Sequence, residues 1–259
     1  MMNTSLRLYG SIFLVIIIIF FLGFYSRIFF SRDSLLTGSS VDLAGEQTIT
    51  NNLVAVDAQG NGVGAQLHTQ VKQGNGLVLV NINNVLADLN TQQSARAAVQ
   101  AASRLAHVDS KTIDVIFTID TNAELVSGRS AGSTMAIAVA TALMNATART
   151  DLVMTGDISE DGTIGMVQGI PQKAVAAKQF GAAAFIVPAG GAHSVTHFAR
   201  EKSCGDLDDY DYCTLTYVPA QGTLSDTVGI PVLEVETLAD AARYYFGYEG
   251  VHDVDPQTT

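Results

Sequence analysis

The sequence predicts a mixed α/β domain, built around a mixed sheet and preceded by one N-terminal transmembrane helix. Three features lead to this fold class. Residues 8–26 form an uncharged, strongly apolar run close to the N-terminus. After it, short stretches rich in β-branched residues alternate with longer stretches of helical periodicity, as expected for strands and helices in one domain. Residues 47–248 are numerous enough to form one domain with a sizeable core.

The apolar run has the length of a membrane-spanning helix. It holds nineteen uncharged residues between Arg7 and Arg27, and a bilayer core of about 30 Å needs about twenty. A cleaved signal peptide would have a shorter apolar region that ends in small residues. This run ends instead in aromatic residues, including Phe24 and Tyr25, which suit a membrane interface. We therefore predict an uncleaved single-pass anchor.

The chain divides into four predicted segments. Residues 1–32 form the anchor, 33–46 a polar linker, 47–248 the folded domain and 249–259 a disordered acidic tail. Positive charges flank the anchor almost equally, so the positive-inside rule does not orient it. Cys204 and Cys213 enclose a polar, acidic stretch and form either a local disulfide or two separate reduced thiols. A disulfide persists in oxidising compartments, which favours an extracytoplasmic domain.

Composition and charge exclude several function classes. The formal net charge is −11 and the chain has five lysines, which argues against nucleic acid as a partner. No Gly-x-x-x-x-Gly-Lys-Ser/Thr motif occurs, so an ATPase of that type is not encoded in these residues. His193 and His197 have helical spacing, but the absence of a nearby third ligand favours a surface pair over a metal site. We predict no metal and no cofactor.

The first half of the domain is predicted to open with strands at 53–57, 63–71 and 77–82. Short Gly-rich turns separate them, so we expect antiparallel hairpins. A helix follows at 91–107, with Thr91 as its predicted N-cap, and then a strand at 113–119.

The second half begins with a helix at 130–145 that is almost wholly apolar and therefore buried. We then expect a hairpin whose strands occupy 152–158 and 163–167. The remaining elements are predicted to be helices at 169–180, 194–201 and 238–246 and strands at 184–187, 215–218 and 232–235.

Ser130 and Lys173 are the candidate catalytic residues. Ser130 opens the apolar helix, where backbone N–H groups and the positive end of the helix dipole can stabilise an oxyanion. Lys173 follows 43 positions later, and a buried lysine amine has a lowered pKa and can accept a serine proton. Taken singly, such a serine is usually a helix cap and such a lysine a solvated surface residue. The case for a dyad therefore depends on the pair and on the residues around each.

Three segments around these residues resemble the proteolytic domain of Lon proteases. They are Gly128-Arg129-Ser130-Ala131-Gly132, Met154-Thr155-Gly156-Asp157-Ile158 and Gly169-Ile170-Pro171-Gln172-Lys173. The family patterns are D-G-P-S-A-G, M-T-G-E-I and G-G-x-x-x-K-x-x-A-A, and the spacing from serine to lysine fits without a gap. The resemblance extends over roughly residues 54–246 and implies the fold of ribosomal protein S5 domain 2.

The resemblance implies a role for each matching residue. Ser130 matches the nucleophile, Lys173 the general base, and Thr155 the threonine that hydrogen-bonds the lysine amine. Ala131 and Gly132 belong to the same nucleophile motif and are expected to support the site.

The resemblance also implies a serine endopeptidase that cleaves unfolded proteins or peptides and assembles into a homo-oligomeric ring. Lon proteases usually carry a fused ATPase that unfolds the substrate, and these residues do not encode one, so we expect cleavage without ATP or reliance on a separate unfoldase. The departures are Ser127 and Arg129 in place of the family's Asp and Pro, Gln168 in place of a glycine, and Pro171 in the first helical turn, where proline is tolerated. They keep open the alternative of a non-catalytic, membrane-anchored binding or scaffold domain of the same fold.

Overall fold

The computed structural model has the predicted mixed α/β architecture. It describes the chain in six ranges, which are 45–82, 88–121, 128–192, 198–207, 210–219 and 223–247. The strands are β1 Gln47–Val56, β2 Gly62–Gln73, β3 Val78–Ile82, β4 Ile113–Asp120, β5 Leu152–Met154, β6 Asp157–Ile158, β7 Ile164–Gly165, β8 Ala184–Pro188, β9 Phe198–Leu207, β10 Tyr210–Pro219 and β11 Val232–Val235. The helices are α1 Leu89–Leu105, α2 Gly132–Leu143, α3 Ile170–Gln179, α4 Leu224–Val228 and α5 Leu238–Tyr245.

The first sheet has the strand order β1-β2-β4-β3. β1 and β2 form the predicted antiparallel hairpin. The predicted hairpin between β2 and β3 is wrong, because β4 lies between them, antiparallel to β2 and parallel to β3. The Asp114 carboxylate in β4 accepts hydrogen bonds from the backbone N–H groups of Asn75 and Leu77, at 2.8 Å each. These bonds hold the turn after β2 against β4. A short Gly-rich turn thus joins two strands that do not pair.

The second sheet is parallel and has the order β11-β8-β5. The predicted continuous strand at 152–158 is interrupted, since β5 ends at Met154 and β6 begins at Asp157 and pairs instead with β7. Thr155 and Gly156 form the break. A hydrogen bond from Thr155 N to Ile186 O, 3.0 Å long, still holds Thr155 at the end of β5 beside β8, and the chain leaves the sheet after it. Polar residues consequently follow the carboxyl end of a buried parallel strand, a frequent location for functional side chains.

Two helices, α1 and α2, form the layer next to Ser130. α2 is buried at all of its positions, as its apolar sequence predicts, but it begins at Gly132 rather than at Ser130. α1 packs on it and begins two residues earlier than predicted. The N-cap of α1 is Asp88, whose Oδ1 accepts from Thr91 N at 2.7 Å, so Thr91 is a capped residue and not the cap.

The buried apolar side chains fall into two clusters. The larger cluster joins α1, α2 and α5 to the first sheet and to one side of the second, with Phe117 and Ile137 fully buried in it. The smaller cluster lies under α3 on the other side of the second sheet. It contains Phe185 from β8 and is closed by Leu224 and Val228 from α4. Ser130, which precedes α2, is therefore linked to the larger cluster, and α3, which contains Lys173, is linked to the smaller one.

Glycines on β2 allow α3 to approach the first sheet closely. A Cβ at Gly62 would overlap the carbonyl oxygen of Gln172, and a Cβ at Gly64 would overlap the Phe180 ring. The Phe180 ring is exposed and can move aside, but the backbone carbonyl of Gln172 cannot, so only a residue without a side chain fits at Gly62. The position of α3, and with it that of Lys173, therefore depends on Gly62.

The region between β8 and β11 departs most from the sequence prediction. The helix predicted at 194–201 is wrong for its described part, because Phe198 begins β9. β9 and β10 form an antiparallel hairpin in which Cys204 and Cys213 are directly opposite in register. The side chains of both cysteines, and the residues His193 and His197, lie outside the described part of the molecule. The helix α4, not predicted from the sequence, is fixed by a capping box between Thr223 and Asp226.

The predicted anchor lies outside the described ranges, as do the tail and almost all of the linker. Within those ranges, no helix combines the length and the apolar character needed to span a bilayer.

Candidate active site

Ser130 lies in the turn immediately before α2 and is partly exposed. The preceding residue is attached to α1 through its carbonyl oxygen. Ser94 Oγ donates to the Arg129 carbonyl at 3.1 Å, whereas the nearby Thr91 hydroxyl gives its proton to Asp88 Oδ1 at 2.6 Å. Gly128 has a φ of 109°, a conformation that favours glycine. The Ser94 hydrogen bond holds the nucleophile segment, residues 128–130, on the N-terminal turns of α1.

The break between β5 and β6 holds the nucleophile segment from the opposite side. The Ser130 carbonyl accepts two hydrogen bonds, from Gly156 N at 3.1 Å and from Thr155 Oγ1 at 3.2 Å. A Cβ at Gly156 would lie 2.6 Å from Cγ2 of Ile164, so the close approach requires glycine. The interruption of the predicted strand is therefore what brings two hydrogen-bond donors to Ser130.

Lys173 is buried beneath this network. It lies in α3, which begins after Gly169 in a left-handed conformation with Pro171 in its first turn. Ile170, Ala174 and Lys173 share the face of α3 that packs inward, so the apolar residues draw the lysine side chain into the protein. Lys173 is 4% exposed and is the one buried charged side chain among the residues whose burial the structure describes. Burial lowers its pKa from 10.5 to about 8, because an ammonium ion loses its hydration there.

Thr155 connects the lysine amine to the nucleophile segment. Lys173 Nζ donates to Thr155 Oγ1 at 3.3 Å, and the same hydroxyl donates to the Ser130 carbonyl at 3.2 Å. A hydroxyl has one proton, so once Thr155 gives it to the carbonyl it offers the amine lone pairs only. A neutral lysine held in this way keeps its own lone pair available to accept a proton. The structure thus brings Ser130, Thr155 and Lys173 into one network.

The expected oxyanion donors are arranged differently from the sequence prediction. Ala131, not Ser130, is the N-cap residue of α2, and it makes no side-chain cap bond. The Gly132 N–H donates to the Arg129 carbonyl at 3.1 Å, and the Ser133 N–H donates to the Gly156 carbonyl at 3.1 Å. These two amides are therefore already bonded within the protein. An oxyanion role for the Gly132 amide requires the turn before α2 to open.

Sequence reasoning missed two contributors to the site. Ser94 lies on the buried face of α1, where its hydroxyl bonds to the Arg129 carbonyl. The second is an ion pair between Arg129 and Asp157, with Nε and Oδ1 3.0 Å apart. Arg129 stands where the Lon pattern D-G-P-S-A-G has proline, and Asp157 stands where M-T-G-E-I has glutamate, so two matched replacements in the sequence could have indicated the pair.

A surface cavity of about 330 Å³ adjoins the nucleophile segment. Its lining includes Arg129, Arg96 and Glu160, together with Gln93, Ala97, Ile158 and Ser159. The volume lies in the range of small-molecule sites. No group of three or more potential metal ligands occurs among the described residues.

Comparisons with known proteins identify relatives of this chain. Residues 40–203, more than half of the chain, match the family profile of the Lon protease (S16) C-terminal proteolytic domain. A protein named Lon protease 2 from Sorangium cellulosum strain So ce56 is 37% identical over 124 residues, which is 45% of this chain. A Lon protease from Chloroflexus aurantiacus is 33% identical over 116 residues, which is 44% of this chain. The matches span 15% and 12% of the lengths of these relatives, respectively.

Proposed function

Since the chain belongs to the Lon protease (S16) C-terminal proteolytic-domain family, we propose that it is a serine endopeptidase whose catalytic dyad is Ser130 and Lys173. One observation carries the proposal. The amine of Lys173 is buried, has a pKa lowered to about 8 and donates to Thr155, which in turn donates to the Ser130 carbonyl. A buried lysine beside a serine is the arrangement that a Ser-Lys hydrolase uses in place of histidine.

The proposed reaction proceeds in two steps. Ser130 Oγ attacks the carbonyl carbon of the scissile peptide bond, and neutral Lys173 accepts the hydroxyl proton. The resulting ammonium returns this proton to the leaving amine as the C–N bond breaks, leaving an acyl ester on Ser130. Water then attacks the ester while Lys173 accepts a proton from it, and the carboxylic acid product leaves as Ser130 regains its hydrogen. Thr155 orients the lysine amine throughout.

The proposed substrates are unfolded proteins or short peptides. The 259 residues contain no Gly-x-x-x-x-Gly-Lys-Ser/Thr motif, so this chain contributes no ATPase of that type. The cavity beside Arg129 offers room for a peptide side chain next to the nucleophile segment. We expect cleavage without ATP, and a requirement for a separate unfoldase is the alternative.

Anchoring and assembly are also proposals. The apolar run at residues 8–26 supports a single-pass membrane anchor, and the two cysteines support an extracytoplasmic position for the domain. A homo-oligomeric ring follows from resemblance to Lon proteases alone. Crosslinking of the full chain in detergent micelles, read by mass photometry, tests the ring, and a single monomer mass at micromolar concentration would contradict it.

Cleavage of casein tests the dyad. The full chain, Ser130→Ala, Lys173→Met and Lys178→Met are incubated with casein without ATP. Lys178 lies exposed on the same helix as Lys173, so Lys178→Met is a matched control. Cleavage by the wild type and Lys178→Met, with none by the other two variants, supports the proposal. Cleavage that survives Ser130→Ala would refute the dyad.

The second candidate is a non-catalytic, membrane-anchored binding or scaffold domain. The observation that favours it is the Gly132 amide, which is already bonded to the Arg129 carbonyl. Absence of casein cleavage by an oligomeric wild type, with and without ATP, would favour this alternative.

A further inference from the structure

Arg129 replaces the proline that precedes the nucleophile in the Lon pattern. Proline fixes its own φ, and arginine does not. Gly128, one residue earlier, also has wide conformational freedom and has a φ of 109°. The nucleophile segment of this chain therefore lacks the covalent restraint that a proline would supply, and non-covalent contacts hold its conformation.

The Arg129–Asp157 ion pair is in a position to supply that restraint. The two atoms Nε and Oδ1 are 3.0 Å apart, and the two side chains are 46% and 25% exposed. Asp157 Oδ1 also accepts from the Ile158 N–H at 2.8 Å, which holds the carboxylate still. Asp157 directly follows Thr155 and Gly156, so the ion pair joins the same two segments as the hydrogen bonds to the Ser130 carbonyl.

We propose that the Arg129–Asp157 ion pair is a tether, a contact that positions the nucleophile segment by holding it against the break between β5 and β6. The inference rests on the proposed peptidase function. Arg129 does not touch the reacting atoms in this proposal. It acts by keeping the Ser130 carbonyl within hydrogen-bond distance of Gly156 N and Thr155 Oγ1. This keeps Ser130 close to the hydrogen bond between Thr155 and Lys173.

A role in substrate charge selection fits the same residues less well. Arg129 and Arg96 line the neighbouring cavity, and Glu160 lines it too. Asp157 does not line the cavity but pairs with Arg129, which leaves Arg96 and Glu160 with opposite formal charges in the lining. An internal tether explains the paired charges better than a substrate contact does.

The size of the effect follows from the exposure of the pair. Partly exposed ion pairs bias an equilibrium by at most about fivefold. We therefore expect Arg129→Ala and Asp157→Asn each to lower kcat about two- to fivefold and to leave KM within about twofold. The variant with both changes should lose no more than either single variant, because the two side chains act as one contact. Arg129→Lys should recover part of the loss.

The experiment compares these variants of the full chain with Arg149→Ala. Arg149 forms a similar surface ion pair with Asp151, at 2.6 Å, and this pair does not touch the nucleophile segment. Peptidase kinetics and hydrogen–deuterium exchange of peptides covering residues 128–133 and 154–158 are measured together. We expect exchange at the Gly156 amide to accelerate by the same two- to fivefold in Arg129→Ala and to stay unchanged in Arg149→Ala.

The exchange measurement separates this inference from the proposed function. A wild type without peptidase activity whose Gly156 amide exchanges faster in Arg129→Ala would refute the proposed function and support the tether. Unchanged exchange in Arg129→Ala would refute the tether whatever the activity. Losses in kcat that multiply in the double variant, or that Arg149→Ala reproduces, would refute it as well.

Discussion

Replacing Lys173 by methionine is expected to make the protein more stable near neutral pH while it removes the proposed base. Methionine has a similar length and no charge, so it fits the buried site without an ion to desolvate. Lys173 is 4% exposed, and its pKa is lowered from 10.5 to about 8 by burial. At pH 7 the lysine is protonated in both the folded and the unfolded chain, so the folded protein bears the full cost of burying the ammonium ion.

The magnitude follows from the lowered pKa. Each pKa unit corresponds to about 1.36 kcal/mol, so the drop to about 8 corresponds to about 3 kcal/mol of unfavourable free energy at pH 7. Loss of the hydrogen bond to Thr155 Oγ1 subtracts about 1 kcal/mol. We expect a net gain of about 2 kcal/mol in the free energy of unfolding, which raises Tm by about 4–8 °C for a domain of this size.

The pH dependence gives the prediction its sharpest test. Between about pH 8 and 10.5 the unfolded chain still binds the proton that folded Lys173 has released. The stability contribution of Lys173 to the wild type therefore rises with pH in this window, and the advantage of Lys173→Met shrinks. Tyr245, whose pKa is raised by burial, affects both proteins equally and cancels in the difference.

Thermal unfolding followed by circular dichroism from pH 6.5 to 10 measures this difference. Lys178→Met serves as the control and is expected to change the free energy of unfolding by less than about 0.5 kcal/mol, as for other exposed sites. A Tm for Lys173→Met below that of the wild type at pH 7, or a difference that does not vary with pH, would refute the reasoning. Either result would mean that Lys173 is not a desolvated ammonium ion.

Four further predictions follow from the site and the fold. The value of kcat/KM should rise with pH to a plateau with an apparent midpoint near the pKa of about 8 of Lys173, and a pH–rate profile with a midpoint below 6 would contradict this. Thr155→Val should lower kcat about tenfold, the equivalent of one lost hydrogen bond, while Thr155→Ser keeps most of the activity in the same peptide assay. Gly62→Ala should destabilise the protein by about 1–3 kcal/mol in chemical denaturation, because the new methyl group overlaps the backbone carbonyl of Gln172 in α3; an unchanged midpoint would show that α3 is not held there. In chain exported to an oxidising compartment, non-reducing peptide mapping should find Cys204 linked to Cys213, and free thiols there would contradict both the disulfide and its support for an extracytoplasmic domain.

The sequence indicated the candidate site residues and most of the helices. Ser130 and Lys173 were chosen from residue type and spacing and Thr155 from the resemblance to Lon proteases, and hydrogen bonds connect Lys173 through Thr155 to the Ser130 carbonyl. The apolar helix after Ser130 was predicted to be buried, and every residue of α2 is buried. These features depend on local composition and on short patterns, which a sequence displays directly.

The sequence was not sufficient for features that depend on distant partners. The insertion of β4 between β2 and β3 is decided by pairing with a strand about forty residues later, while the local turn suggests a hairpin. The run at 152–158 has the pattern of one strand, yet its two halves pair with different partners and separate at Thr155. The ion pair between Arg129 and Asp157 spans 28 positions, and no local pattern predicts which acid an exposed arginine will meet.

The two proposed catalytic residues are attached to different hydrophobic clusters, and this arrangement makes activity a sensitive probe of local order. Ser130 precedes α2, which belongs to the larger cluster, whereas Lys173 is carried by α3, which packs on the smaller one. The smaller cluster is closed at one end by α4, a helix of five residues, and regions with few buried contacts open first on heating. On warming, the amine can therefore separate from the serine while the larger cluster is still intact. Peptide cleavage would then cease several degrees below the temperature at which the bulk secondary structure melts.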